Sequence, residues 1–170
     1  MNVDGAVGSE TQLVRLLQMG IVLEEVVEAR ASKHHESLDA DADPEVRALL
    51  AEAGEESAEH RARLEKLIDQ LDADTVPFDR ISTLVEERYT QAPPDSFDDI
   101  LYDQLHGEES AYKFYDDLIA AIENSETRFD VDRERLVGTL AAIREEEAEG
   151  VRDVTELMGE EPGTTRTSTS

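Results

Sequence analysis

Apolar residues return at alternating three- and four-residue intervals through long stretches of this chain, which places them along one side of an α-helix. Val46, Leu50, Ala53, Leu64, Leu67 and Leu71 trace one such stripe. Leu101, Leu105, Tyr112, Tyr115 and Ile122 trace a second, and Leu136, Leu140, Ile143, Val154 and Leu157 a third. The stretch from Leu13 to Val27 is apolar over a wider arc, so its inward face is less sharply marked. Nothing alternates with the two-residue period of a strand. The expectation is an all-α chain with helices from Ser9 or Thr11 to about Leu38, from Pro44 to about Leu71, from Phe97 to Ile122 and from Asp132 to Met158. The breaks fall where the chemistry asks for them. "DADADP" ends the first helix and leaves Pro44 in the first turn of the second, and "QAPPDS" and "ENSETRFDVD" supply the other stops.

Four helices of similar length, two pairs of them joined by short loops, predict a four-helix bundle made of two antiparallel hairpins. The connection between the second and third helices is long. Its amphipathic piece "VPFDRISTLVEERY", residues 76–89, predicts a short extra helix within a crossover that leaves the second and third helices parallel. Residues 9–158 form the expected domain, flanked by polar segments 1–8 and 159–170 that are expected to be disordered.

The two hairpins resemble each other. At an offset of 80 residues, Glu28, Ala31, Lys33 and Leu38 fall on Glu108, Ala111, Lys113 and Leu118. At an offset of 90, "EESAEH" (55–60) falls on "EEEAEG" (145–150), and Leu50 and Leu67 fall on Leu140 and Leu157. Within that match Ser57 stands opposite Glu147, and His60 opposite Gly150.

Several ionisable residues lie on the apolar stripes. Ser57 and His60 fall on the second helix's stripe, Glu108 on the third's and Glu147 on the fourth's. One register of the first helix turns Glu24 and Glu28 inward. Each lies near the middle of its helix, so antiparallel packing would gather Glu28, His60, Glu108 and Glu147 into one layer. A carboxylate buried without a partner costs several kcal/mol, and no Lys or Arg lies on the last three stripes to offset it. A bound cation would, since Glu and neutral His are good ligands for iron, manganese or zinc. The plain alternative closes the layer with Glu–Tyr and Glu–His hydrogen bonds, with Tyr112 and Tyr115 at hand. His106 lies off the stripe, and His34 and His35 are ambiguous.

The chain carries 42 acidic residues against 16 basic ones, only three of them lysine, for a formal net charge of −26. Such self-repulsion weakens a compact fold in dilute buffer and is screened in strong salt. High acidity with little lysine resembles the proteins of salt-loving archaea. A surface this negative argues against nucleic acid and anionic membranes as partners. The absence of cysteine excludes disulfides, thiolate metal sites and any Cys-x-x-Cys electron carrier. No signal peptide or run of about 20 apolar residues is present, so the expected location is cytoplasmic.

On these residues the chain resembles the ferritin-like superfamily, and rubrerythrin-type erythrin domains in particular, over residues 11–158. In that family the first and third helices each give one Glu, and the second and fourth each give a Glu-x-x-His pair. The resemblance places the two single carboxylates at Glu28 and at Glu108, which follows Gly107. It places the pairs at Ser57/His60 and Glu147/Gly150. Two of six family ligands are therefore missing, one from each repeat. The resemblance implies a metal site of Glu28, His60, Glu108 and Glu147, with Glu24, Glu56 and Glu146 as auxiliaries. One iron or manganese ion per chain is the expected occupancy, zinc being a third choice. If the chain is an enzyme, the resemblance implies a ferroxidase- or peroxidase-like oxidoreductase, and peroxide reduction would need an outside electron source, since the family's rubredoxin-like module requires cysteines. It also implies a homodimer, which light scattering would read as twice the 18.9 kDa chain mass. The competing expectation is a metal-free bundle that serves as a structural or interaction module.

Overall fold

The computed structural model describes residues 5–75, 77 and 97–159. Among these, four helices and no strands are found: α1 (Glu10–Ser37), α2 (Pro44–Asp69), α3 (Phe97–Glu123) and α4 (Arg133–Gly159). The ends lie within about two residues of those read from periodicity, the usual latitude of helix boundaries. Local chemistry fixes two of the starts. Ser9 caps α1 by accepting a 3.1 Å hydrogen bond from the Gln12 N–H. Asp43 caps α2 by accepting 2.9 Å from the Glu45 N–H, with Pro44 in the first turn, where its missing N–H costs nothing.

The helices pack in pairs, α1 with α2 and α3 with α4. The pairs join through α1 against α3 and α2 against α4, while no Cα atoms of diagonally opposed helices lie within 8 Å of each other, so only long side chains bridge the diagonals. Directions follow from which residues meet. Gly20 faces Phe114 and Tyr115, Gly107 faces Val27, and Arg30 reaches Asp103, so α1 and α3 are antiparallel. Each hairpin is antiparallel as well. The second and third helices therefore run the same way, and residues 70–96 join opposite ends of the bundle. The short amphipathic segment expected at 76–89 and the tail 160–170 lie outside the described residues, Pro77 apart.

Part of the N-terminal stretch expected to be disordered is in place. Val7 is buried, its N–H donates 3.0 Å to the Ala121 carbonyl, and its own carbonyl accepts from the Ser125 hydroxyl. An apolar side chain able to close the end of the bundle is what holds it there.

Two apolar clusters fill the interior. The larger includes Leu13, Leu17, Ile21, Leu64, Leu67, Phe114, Leu118, Leu136 and Leu140. The smaller joins Ala31, Val46, Leu50, Ala53, Leu101 and Val154. Between them along the helices lies a polar layer of Glu24, Ser57, His60, Glu108 and Glu147, all buried. No described helix is long and apolar enough to cross a membrane.

A candidate metal centre in the bundle core

His60 occupies the middle of the layer, 1 % exposed. Its Nδ1 lies 3.1 Å from Glu24 Oε2 and 3.1 Å from Glu147 Oε1. Its Nε2 points the other way, 3.8 Å from Glu56 and 3.6 Å from Glu146, and makes no hydrogen bond. Glu108 accepts 2.9 Å from the Gln104 side chain and shares a hydrogen bond with Glu147. Two sets of ligand atoms each lie within 4.8 Å of one another: Glu24, His60 and Glu147, all buried, and Glu56, Glu108 and Glu147. Glu147 belongs to both.

Of the residues expected in this layer, the structure brings His60, Glu108 and Glu147 together. Glu28 lies outside it, and α1 supplies Glu24, one turn earlier and fully buried, in its place. The reason is Arg61, next to His60 on α2. Its guanidinium lies 2.5 Å from Glu28 and 3.5 Å from Glu25, which draws both carboxylates to the rim of the bundle. Glu56 and Glu146 sit at the layer's edge, each about a third exposed. Tyr112 is turned outward, while Tyr115 is fully buried with an unbonded hydroxyl. Gln104 was missed. Its signal was a glutamine one turn before Glu108, on the apolar side of α3.

Gly150 shapes the layer from α4. A Cβ built there would lie 2.5 Å from Glu108 Oε2. Glu108 thus occupies the space beside a residue with no side chain. Gly20 gives similar room on α1, where an added Cβ would meet Leu64 and Phe114 at 3.2 Å and the Tyr115 hydroxyl at 3.7 Å.

Crowding sets the protonation of the group. Burial first, and then the neighbouring Glu147, pushes Glu108 up to about 9. Burial and the charge of Glu24 push Glu147 up to about 8, against the lowering effect of its bonds to His60 and Glu108. Burial and Glu108 raise Glu56 to about 7. Burial alone would lower His60, but its bonds to Glu147 and Glu24 outweigh that and hold it at about 10. Burial and both carboxylates push the Tyr115 phenol up well above its ordinary value. Without a metal, then, protons are the counter-charge near neutral pH: His60 is held as an imidazolium, and Glu108 and Glu147 are held as neutral carboxyls.

A second polar group ties α1 to α3. Asp103 lies 2.6 Å from Arg30 and 2.8 Å from the buried His34, which together hold its carboxyl down at about 2 although burial alone would raise it. Its charges are matched within the group, and it closes a seam between helices.

The donor set suits a cation. It combines one imidazole with several carboxylates and includes a buried nitrogen and a buried hydroxyl that lack partners. Such orphaned atoms are uncommon in folded proteins. No protein-family model, no curated protein and no solved structure matches this chain.

Proposed function

We propose that this chain is a ferritin-like metal-binding protein, related to rubrerythrin-type domains, whose core holds an iron or manganese ion on Glu24, His60 and Glu147. The observation that carries this reading is the convergence of those three buried side chains, from three helices, with their ligand atoms within 4.8 Å of one another. The parallel run of α2 and α3 supports it, since a single long crossover is the mark of ferritin-like bundles. Imidazole with carboxylates suits iron, manganese and zinc. Glu56 and Glu108 extend the donor set through the shared Glu147. A redox-active ion there would supply oxidation of Fe(II), with dioxygen or peroxide taking the electrons, or reduction of peroxide with electrons from an external donor. The chain's own part is to hold its carboxylates close and dry and to give up the protons that otherwise occupy them.

Elemental analysis after anaerobic reconstitution in molar salt, without a histidine tag, tests this reading. About one ion per chain is expected. His60→Ala, Glu147→Ala and Glu24→Ala should each lower occupancy, whereas Glu28→Gln and His106→Ala should not. A second reading, a metal-free structural bundle, draws on the hydrogen bonds that close the group with protons alone. It prevails if the reconstituted wild type holds no iron, manganese or zinc.

A further inference from the structure

His60 divides its carboxylate neighbours into two kinds. On the Nδ1 side Glu24 and Glu147 are sealed, at 0 % and 3 % side-chain exposure. On the Nε2 side Glu56 and Glu146 keep 34 % and 31 %. These latter two lie on α2 and α4, so the α2–α4 seam is where the carboxylates of the layer meet solvent. Two of the other seams offer less. On the α1–α2 face Arg61 holds Glu25 and Glu28, and neither of these part-exposed carboxylates lies within 4 Å of His60. Along α1 and α3, Gly20 lies against Leu64 and Phe114, and Gly107 against Val27, so apolar side chains close that line.

The two carboxylates at this mouth differ. Glu56 has no Lys or Arg partner among the described residues and lies 3.8 Å from the unbonded Nε2. Glu146 is held by Arg63, whose Nη1 lies 2.5 Å from its Oε2 while Nη2 also bonds Glu59 at 2.6 Å. Arg63 therefore keeps a second acceptor if Glu146 leaves. Glu146 in turn is 3.6 Å from the imidazole, too far for a hydrogen bond and near enough to reach it by a side-chain rotation. Lys66 and Arg135 also border the groove above Glu146. Arg135 stands eleven residues before Glu146 on the same helix, about 16 Å along the axis, so its charge bears little on the mouth.

We propose that cations reach the buried centre through the α2–α4 seam, between Glu56 and Glu146, and that Glu146 acts as a transfer ligand which Arg63 holds in reserve. The proposal rests on the metal-binding reading above and adds its route and its control. Glu146 exchanges Arg63 for the incoming cation, carries it toward Glu56 and the layer, and returns to Arg63 once Glu24, His60 and Glu147 hold the ion. Glu146 and Arg63 thus govern the rate of filling and not the final occupancy.

Stopped-flow uptake of Co(II) by metal-free protein in molar salt, followed by the absorbance of the bound ion, tests this. Final stoichiometry comes from elemental analysis, and circular dichroism confirms the fold of each variant. Glu146→Gln, nearly isosteric, should fill to the wild-type level about ten- to a hundredfold more slowly. Arg63→Gln should fill faster than wild type, because the carboxylate is no longer held back. A wild-type rate for Glu146→Gln overturns the route. A fall in its final occupancy overturns the transfer role, since Glu146 would then be a resident ligand. Slower filling by Arg63→Gln overturns the latch. If the wild type itself never fills, the metal-binding reading fails first and the route falls with it. A wild type that fills while Glu146→Gln is unimpaired leaves that reading standing and rejects the route alone.

Discussion

Gly150 shows what a single missing side chain does in a crowded layer. Ala at Gly138, on the same helix, would meet nothing within 4 Å. Gly138→Ala should therefore stabilise the protein by about 0.5–1 kcal/mol, the ordinary helix preference. Gly150→Ala gains the same preference but must move Glu108, whose carboxyl is buried and bonded to Gln104. Leaving that buried group without its partner costs about 1–3 kcal/mol, so the net effect should be neutral to destabilising. Denaturant unfolding of the two metal-free variants in molar salt compares them directly. Equal stabilisation would mean that Glu108 is not held against Gly150. The sequence repeat flagged this position, because Gly150 answers His60, but it read as a lost ligand. The structure uses it as room for a carboxylate from the facing helix. That contact could not be read from α4 alone, since it depends on how a side chain of α3 bends. The exchange of Glu28 for Glu24 has a similar cause. Both lie on one helical face a turn apart, and Arg61, from another helix, decides which of them turns out.

Helices were the most legible level, because their periodicity, caps and breaks are local. Ser9, one of the two starts the sequence offers for α1, and Pro44 act where the sequence places them. The layer was legible as polar residues on apolar stripes near each helix centre. Its proton content was not, since that follows from distances between helices. Those distances give the metal-free protein a particular pH dependence. Glu56, Glu108 and Glu147 stand at about 7, 9 and 8 in the fold against 4.5 as ordinary carboxyls, and His60 at about 10 against 6.5. All four bind protons more tightly folded than unfolded. Their contribution is complete below pH 4.5 and declines as the pH rises through the folded values toward 10. The folded values of Glu56, Glu147 and Glu108 place the decline from this layer between about pH 7 and 9. The melting temperature of metal-free protein in molar salt should fall across that interval, and Glu108→Gln should flatten the slope. Bound metal, which replaces the protons, should flatten it too. A melting temperature that rises from pH 7 to 9 would show that the layer is not held by protons.

At the scale of the whole molecule, local attraction competes with a diffuse repulsion. The net charge is −26 on 170 residues. The described ion pairs beyond the core lie mostly at the surface, such as Lys113 with Asp117, Arg144 with Asp116 and Arg152 with Glu145. Exposed pairs of this kind contribute about 0–1 kcal/mol each and cannot offset so large an excess. Salt acts on both, but unequally. It weakens a few short pairs that were worth little, and it screens many longer-range repulsions between like charges. The Debye length falls from about 10 Å at 0.1 M to about 3 Å at 1 M, shorter than the spacing of most surface carboxylates. The repulsion should win the comparison, so molar salt should stabilise the bundle. Thermal unfolding in potassium chloride from 0.1 to 2 M, at fixed pH and without metal, should show a rising melting temperature. Sodium perchlorate at equal ionic strength separates screening from the strengthening of apolar burial that some salts bring. A rise shared by both salts reports charge, whereas a rise in potassium chloride alone reports burial. A flat response in both would mean that the acidic surface is spread widely enough to be harmless in dilute buffer, and the expectation of a salt-dependent fold would be wrong.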